Sequence, residues 1–372
     1  MRIGIDCRLW NETGVGRYIR NLVIHLSVID KKNEYVLFTR TQDEKTIKSI
    51  IKNSNFIVCI SDIPWHGVLE QVRFPKILNE QNLDLMHFPY FSVPIFYNKP
   101  FVVTIHDLIV NRFNTGRAST LPLPLYYAKR IGYHAVMSNA VYRSKKIIVP
   151  SNAVRNDLLK SYINTDHKKV EVTYEGGFED KRQAKSEKPI VEGRYILRVG
   201  NFYPHKNVEG LLLAFRGFLY DNYENHDVKL ILVGKKDYFF KKIEKLIEKI
   251  NIGANCIFFE NTTDDDLVSL YSHAIATIIP SFSEGFSLTS VEALDCGSLV
   301  IASDIPVHRE VCGSAAIYCN PNNLNDIKQK ITFACSLIEE SKKELIEQGK
   351  KHVKRFSWNK MASQTLSIYD SI

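Results

Sequence analysis

No apolar run in this chain approaches the roughly 20 residues that a membrane-spanning helix requires, which sets aside an integral helical membrane protein. Its seven cysteines are odd in number and scattered from Cys7 to Cys335, with no CxxC pair. A disulfide framework or a zinc site needs regular close spacing, so reduced thiols in a cytosol are expected. No secretory leader is apparent either, because MRIGIDCRLW carries Arg2 and Asp6 and has the pattern of a first strand. Solenoid-length repeats and low-complexity tracts are missing. The loop NETGVGRY lacks the third glycine of the dinucleotide fingerprint, and YVLFTRT offers no acid at the end of the second strand. An NAD-linked sugar dehydrogenase or epimerase therefore ranks third among the functional readings.

What is present is an ordinary globular composition over 372 residues, 45% hydrophobic and 24% charged, with length enough for two cores. Lysine and arginine exceed the acids by 49 − 41 = 8. That excess suits an anionic membrane surface, nucleic acid or phosphorylated ligands, and equally a solvated lysine-rich surface. Short runs rich in Val, Ile and Phe alternate with helical segments: IGID (3–6), YVLFT (35–39), FIVCI (56–60), LMHFP (85–89), FVVTIHD (101–107) and KIIVPS (146–151). The polar stretch EDKRQAKSEKPIVEG (179–193) interrupts them as a linker. The alternation restarts at YILRVGN (195–201), KLILVG (229–234), NCIFFE (255–260), ATIIPS (276–281) and SLVIAS (298–303). Such alternation predicts α/β architecture with parallel sheets. The expected domains are two doubly wound Rossmann-like units over residues 1–180 and 193–357. A capped amphipathic helix over 358–372 is expected to pack back on the first. Ligands of such sheets bind beyond the carboxyl ends of the strands, so the cleft between the domains is the expected active site.

The stretch PSFSEGFSLTSVEALDCG (280–297) places Glu284 in a tight loop and Glu292 two turns into the following helix, which Gly297 is positioned to cap. Backbone N–H groups at that helix start, around Ser287 and Leu288, favour an anion, and Gly285 beside Phe286 lets the backbone come close to it. A carboxylate is repelled by phosphate but suits sugar hydroxyls. Two carboxylates flanking an anion site therefore fit a phosphate with a polyol on either side, as in a nucleotide sugar. Taken singly, Glu284 is better explained as a cap of the helix start and Glu292 as a solvated surface acid. Lys206 in VGNFYPHKN precedes the helix expected at 207–220, where the helix dipole disfavours a cation unless an anion is near. A diphosphate would supply that anion, and so would a neighbouring acid. In the N-terminal half, Gly14 and Gly16 permit close backbone approach, and His106 stands at a strand end.

Together these segments resemble the retaining GT-B glycosyltransferases of family four (glycosyl transferases group 1). The likeness runs over nearly the whole chain, through TGVGRY, TIHDL, VPS, VGNFYPHKN, KLILVG, TDDDLVSLYSHA, the E-x7-E block SEGFSLTSVEALDCG, GSAAIYCNPNN and the final FSW helix. The phrasing MHFPYFSVPI…KPFVVTIHDL is similar to GDP-mannose-dependent mannosyltransferases. The resemblance implies retaining, metal-independent transfer of a hexose from a nucleotide sugar, GDP-mannose favoured. No cofactor or nucleic acid is implied. The acceptor would be a glycan or lipid-linked saccharide in cell-surface polysaccharide synthesis. It assigns the donor-sugar hydroxyls to Glu284, the ribose to Glu292, the diphosphate to Lys206, and the transferred sugar to His106. Gly14, Gly16, Gly285, Phe286, Ser287 and Leu288 would supply backbone around the donor.

Departures from the family pattern are Asn201, where arginine is usual, and Ser287 and Thr289 in place of the more frequent glycine and proline. Arg198 is a candidate substitute for the missing arginine. Asn201 also motivates an alternative of a different class, a non-catalytic GT-B-like assembly partner. TDDD (263–266) is expected to be a helix cap with acids in the first turn, not a metal site. The segment 121–146 mixes aromatic and basic residues and, as a helix, would suit peripheral contact with an anionic membrane. A cytoplasmic protein at the inner face of the membrane is the corresponding expectation.

Overall fold

The computed structural model describes residues 1–112, 123–178, 189–221 and 223–372. The chain forms two units, each built on one parallel sheet. The first contains residues 1–108, 119–175 and 357–372; the second contains residues 109–118 and 176–356.

In the first unit the strands are β1 (Arg2–Asp6), β2 (Glu34–Thr39), β3 (Phe56–Ile60), β4 (Leu85–Phe88), β5 (Phe101–Thr104), β6 (Lys146–Val149) and β7 (Val170–Val172). Their order in the sheet is β3-β2-β1-β4-β5-β6-β7, all pairs parallel. The direction of winding reverses between β1 and β4. Helices α1 (Gly14–Ile29), α2 (Thr41–Ile50) and α3 (Val68–Glu80) fall between the early strands. The single turn α4 (Ile109–Arg112), which groups with the second unit, and helices α5 (Leu123–Arg143) and α6 (Asn152–Ser161) follow. β4, β5 and the inner part of β6 are buried, because helices cover both faces of the sheet.

In the second unit β8 (Tyr195–Val199), β9 (Lys229–Val233), β10 (Cys256–Phe259), β11 (Ala276–Ile279), β12 (Val300–Ser303) and β13 (Ala316–Cys319) form a parallel sheet of order β10-β9-β8-β11-β12-β13. Its reversal lies between β8 and β11. Helices α7 (Val208–Asp221), α8 (Tyr238–Lys249), α9 (Asp264–His273), α10 (Leu288–Asp295), α11 (Pro306–Cys312), α12 (Leu324–Ser336) and α13 (Glu339–Val353) complete it. One core cluster runs through Phe215, Phe218, Leu230, Leu232, Phe240, Ile278 and Ile301. Helix α14 (Trp358–Asp370) belongs to the first unit, where it packs on α1 and buries Trp358, Met361, Ala362 and Tyr369. Its Ser357 cap accepts from Lys360 N.

The strand runs read from the sequence coincide with strands; β1, β2, β3 and β12 end with their runs, and the others end one to three residues earlier. The sequence pattern names no strand at β7, which has three residues, or at β13, where AIYC is too short and mixed to stand out. Helix α3 is hidden in the pattern by Pro75 within it. Of the linker expected over 179–193, residues 179–188 lie outside the described residues, as do residues 121 and 122 of the basic-aromatic segment. TDDD forms a capping box: Thr263 Oγ1 accepts from Asp266 N at 3.1 Å and Asp266 Oδ2 accepts from Thr263 N at 2.8 Å.

Candidate functional site

The second unit brings its site residues together at the reversal between β8 and β11, where neighbouring strands send their loops in opposite directions. The loop after β8 carries Asn201 and Lys206; the loop after β11 carries Glu284 to Ser287. A backbone bond from Phe282 N to His205 O, 2.8 Å, joins them. Buried Asn207 ties its loop to the Pro280 and Pro321 carbonyls through Nδ2 at 3.1 and 2.8 Å.

Lys206 is not at the start of α7. It ends a 3-10 turn, Pro204–Lys206, and the left-handed Asn207 separates it from the helix. Its anionic partner is Glu284, whose Oε2 and Oε1 lie 2.7 and 2.8 Å from Nζ. Two residues that the sequence reading assigns to different parts of a ligand are therefore partners of each other. Burial alone would raise the Glu284 carboxyl, but Lys206 outweighs it and holds the pKa down to about 2. Nearby His205 is pushed down to about 4, chiefly by burial.

Arg198 is buried in β8 and its guanidinium turns back onto the loop, donating Nη1 to Gly200 O and Nη2 to Asn201 O. Burial lowers its pKa to about 10, against the opposing pull of Glu284. Arg198 thus braces the loop that carries Asn201 and adds a positive charge close to Glu284. Asn201 Oδ1 is buried without a hydrogen-bond partner among the described residues.

Helix α10 starts one residue after Ser287, which has φ 72° and ψ 57°. That left-handed conformation costs a non-glycine residue about 1–2 kcal/mol and accounts for the preference for glycine there in the family pattern. Ser287 is held by two side chains. His308, fully buried, has Nδ1 at 2.9 Å from Ser303 O, which only accepts, so Nδ1 carries the proton and Nε2 accepts from Ser287 Oγ at 3.1 Å. Ser287 Oγ in turn accepts from Ser290 Oγ at 2.6 Å. The Ser287 hydroxyl proton is thereby directed at His308, which the sequence reading does not single out. Its cue is its place just after β12. Glu292 lies buried on α10 and accepts from Tyr271 OH at 3.1 Å. The helix stops at Cys296 and Gly297 follows at φ 77°. Gly285 and Phe286 stand in the loop, with Phe286 edge-on to Phe356 at 5.3 Å. None of these residues lines the cavity of about 800 Å³ that lies by β12 and β13 among Asp304, Arg309, Tyr318 and Lys330.

In the first unit, Gly14 and Gly16 differ. A Cβ on Gly16 would sit 2.6 Å from Trp10 O and 2.7 Å from Leu9 O, so packing of α1 against its own entry loop explains that glycine. Around Gly14 the space is open. His106 follows β5 with Nε2 donating to Pro89 O at 3.0 Å and Nδ1 3.3 Å from Glu175 Oε1. Tyr18 meets its ring edge-on at 4.9 Å. Behind it, Tyr18 OH and His87 Nε2 both reach Thr104 Oγ1, at 3.2 and 2.8 Å, and His87 Nδ1 meets Tyr369 OH at 2.5 Å. His106 therefore stands on a rigid buried network with both ring nitrogens engaged.

The Glycosyltransferase Family 4 profile matches residues 13–176 and the Glycosyl transferases group 1 profile matches residues 179–352. The O-antigen chain mannosyltransferase RfbU of Salmonella typhimurium is 25% identical, over 75% of this chain and 72% of its own length. The O-antigen chain mannosyltransferase B of Escherichia coli is 25% identical over 96% of both chains. The crystal structure of Anabaena HepE in complex with UDP and glucose superposes with a TM-score of 0.74 at 14% identity, covering all of both chains.

Proposed function

The chain belongs to the glycosyltransferases, its first half to Glycosyltransferase Family 4 and its second to the group 1 family, and we propose that it is a mannosyltransferase. In this proposal it moves mannose from GDP-mannose, with retention and without a metal, to a glycan or lipid-linked saccharide of a cell-surface polysaccharide. The sugar is suggested by the two O-antigen mannosyltransferases it resembles, and a nucleotide donor by the UDP bound to Anabaena HepE. The observation that carries the reading is the Lys206–Glu284 pair beside the start of α10, with Glu292 about one turn into that helix. A cation and a helix start serve a diphosphate, and the carboxylates serve hydroxyls.

In the proposed reaction the bond from the anomeric carbon to the diphosphate oxygen breaks and a bond to the acceptor oxygen forms, the acceptor hydroxyl giving its proton to the departing diphosphate. Charge developing on the diphosphate is taken up by Lys206 and by the backbone around Gly285–Leu288. Glu284, released from Lys206 as that lysine turns to the phosphates, holds the sugar, and Glu292 holds the ribose. His106 and Gly14 are assigned to the transferred sugar and to backbone approach. Asn201, which cannot supply a charge, is assigned to neutral hydrogen bonding near the phosphates. A peripheral membrane contact through α5, where Tyr127, Ile131 and Lys129 are exposed, belongs to the same proposal. Among the described residues no helix is long and apolar enough to cross a membrane.

The test is a thermal-shift and transfer panel of GDP-mannose, UDP-glucose and dTDP-glucose, with and without EDTA, and product anomeric configuration by NMR. Stabilisation and transfer by GDP-mannose, insensitive to chelation, are expected. Transfer that needs added Mn²⁺, or stabilisation by the UDP sugar alone, overturns the metal-free or the GDP assignment respectively.

A further inference from the structure

At the winding reversal of the first unit, between β1 and β4, the surface carries a row of aromatic rings. His66 lies edge-on to Trp65 at 4.6 Å and stacks on Tyr90 and Phe91 at 5.4 and 5.3 Å, and Phe91 meets Tyr133 at 5.1 Å. Trp65, Tyr90 and Phe91 are half-buried and His66 is exposed. His66 has φ 61°, a strained conformation for a residue with a side chain, costing on the order of ten-fold in population or more.

A buried network holds that strain in place. Arg8 donates to Asp6 Oδ1 and Oδ2 at 2.8 and 2.7 Å, to Glu70 Oε1 at 2.7 Å and to Ile63 O at 3.2 Å, and lies over the Phe74 ring. Glu70 Oε2 accepts from His66 N at 2.9 Å and from Ser92 Oγ at 2.6 Å. The loops after β1, β3 and β4 are thus locked together at one point, with Arg8 and Glu70 almost wholly removed from water. Burying such charges is costly and rarely favours stability over an apolar core, and here its product is a fixed, partly exposed row of rings at the place where doubly wound sheets take ligands.

We propose that Trp65, His66 and Tyr90 form a stacking platform for a pyranose ring of the saccharide acceptor, with Arg8 and Glu70 as positioning residues. The proposal rests on the glycosyltransferase reading above and extends it to the acceptor. A pyranose presents a C–H face to aromatic rings and hydroxyls to the imidazole. A phosphorylated ligand fits less well, since the Arg8 guanidinium is committed to two carboxylates and a carbonyl.

Trp10 and Trp358 are 1% and 2% exposed, so Trp65 is the tryptophan whose emission responds to a ligand on the surface. Titration with α-1,2-mannobiose, maltose and chitobiose, followed by fluorescence and calorimetry, tests the platform, with GDP and UDP thermal shifts run on the same samples. The expected result is a saturable response to at least one disaccharide. It weakens roughly five- to ten-fold in Trp65→Ala and His66→Gly, while Trp65→Phe retains most of the affinity by calorimetry and nucleotide shifts are unchanged. His66→Gly suits the backbone conformation, so a folded variant is available if Trp65→Ala fails to fold. No saccharide response in the parent protein, or equal affinity in the variants, overturns the platform. Loss of all nucleotide response in the parent protein instead overturns the glycosyltransferase reading, whatever the saccharide result.

Discussion

The two winding reversals of the molecule use the same topology for different chemistry. In the second unit the loops meet through an ion pair with one end partly in water, Lys206 and Glu284, backed by a braced arginine and a neutral buried histidine. In the first unit the ion pair Arg8–Glu70 is sealed inside and the surface it supports is aromatic. A partly exposed ion pair can change partners when a charged ligand arrives; a sealed one can only hold its surroundings still. One reversal is equipped to answer charge, and the other to present shape.

Breaking that contrast begins with the largest effect. Glu284→Gln keeps the shape and removes the carboxylate, and should lower transfer by about two to three orders of magnitude while nucleoside diphosphate affinity changes less than about five-fold. Parallel kcat and Kd measurements separate the two effects, and an equal loss in both would show that Glu284 serves the phosphates.

Lys206→Ala should weaken nucleoside diphosphate binding about ten-fold or more, whereas Arg8→Met should leave it unchanged and lower the melting temperature. Similar affinity losses in both would erase the distinction between the reversals. The ion pair also predicts an acid limit. Glu284 has its carboxyl at about 2 in the fold against an ordinary 4.5, so its ionised form stabilises the fold above about pH 4.5, and that contribution drains away as pH falls towards 2. In Lys206→Ala, burial is unopposed by Lys206 and the loss should begin at a higher pH, measurable as urea midpoints across pH 3–6.

Glu292→Ala should weaken the free nucleoside diphosphate and the nucleotide sugar by the same several-fold factor, since both carry ribose. Unequal losses would move Glu292 to the sugar. The smallest effect concerns Ser287. Ser287→Gly suits the left-handed backbone and should change stability by less than about 1 kcal/mol, and Ser287→Ala should cost about 1–2 kcal/mol. Melting temperatures check both, and a tolerated alanine would mean that the His308 bond does not hold the turn.

The strands of both sheets other than β7 and β13 are legible because runs such as FVVT, KLILV and VIAS have few other uses, and the block from Glu284 to Gly297 is legible because its glutamates, glycines and helix cap are close in sequence. The Lys206–Glu284 pairing is not, since 78 positions separate the partners and only the adjacency of β8 and β11 joins them. Gly16 shows the opposite limit: it reads as room for a ligand, and the room is filled by Leu9 and Trp10 carbonyls. Ser287 is a departure from pattern in sequence, and its torsions show what the departure requires. The aromatic row of the first unit escapes because Trp65, Tyr90 and Tyr133 come from three separate connections, and nothing in the spacing of Arg8 and Glu70 announces their bond.

Helix α14 sets an order of events during synthesis. Tyr369 closes the hydrogen-bond chain through His87 and Thr104 behind His106, and Trp358 and Met361 fill the space against α1. The unit begun first at the ribosome is therefore the last to be finished, since its interior waits for some 180 intervening residues to be translated. Until Tyr369 emerges, the nascent first unit exposes an apolar groove that chaperones recognise. A chain ended at residue 356 and joined to a stalled ribosome by a linker long enough to clear the exit tunnel should hold a completed second unit beside an open first one, and protease protection of the two would differ accordingly.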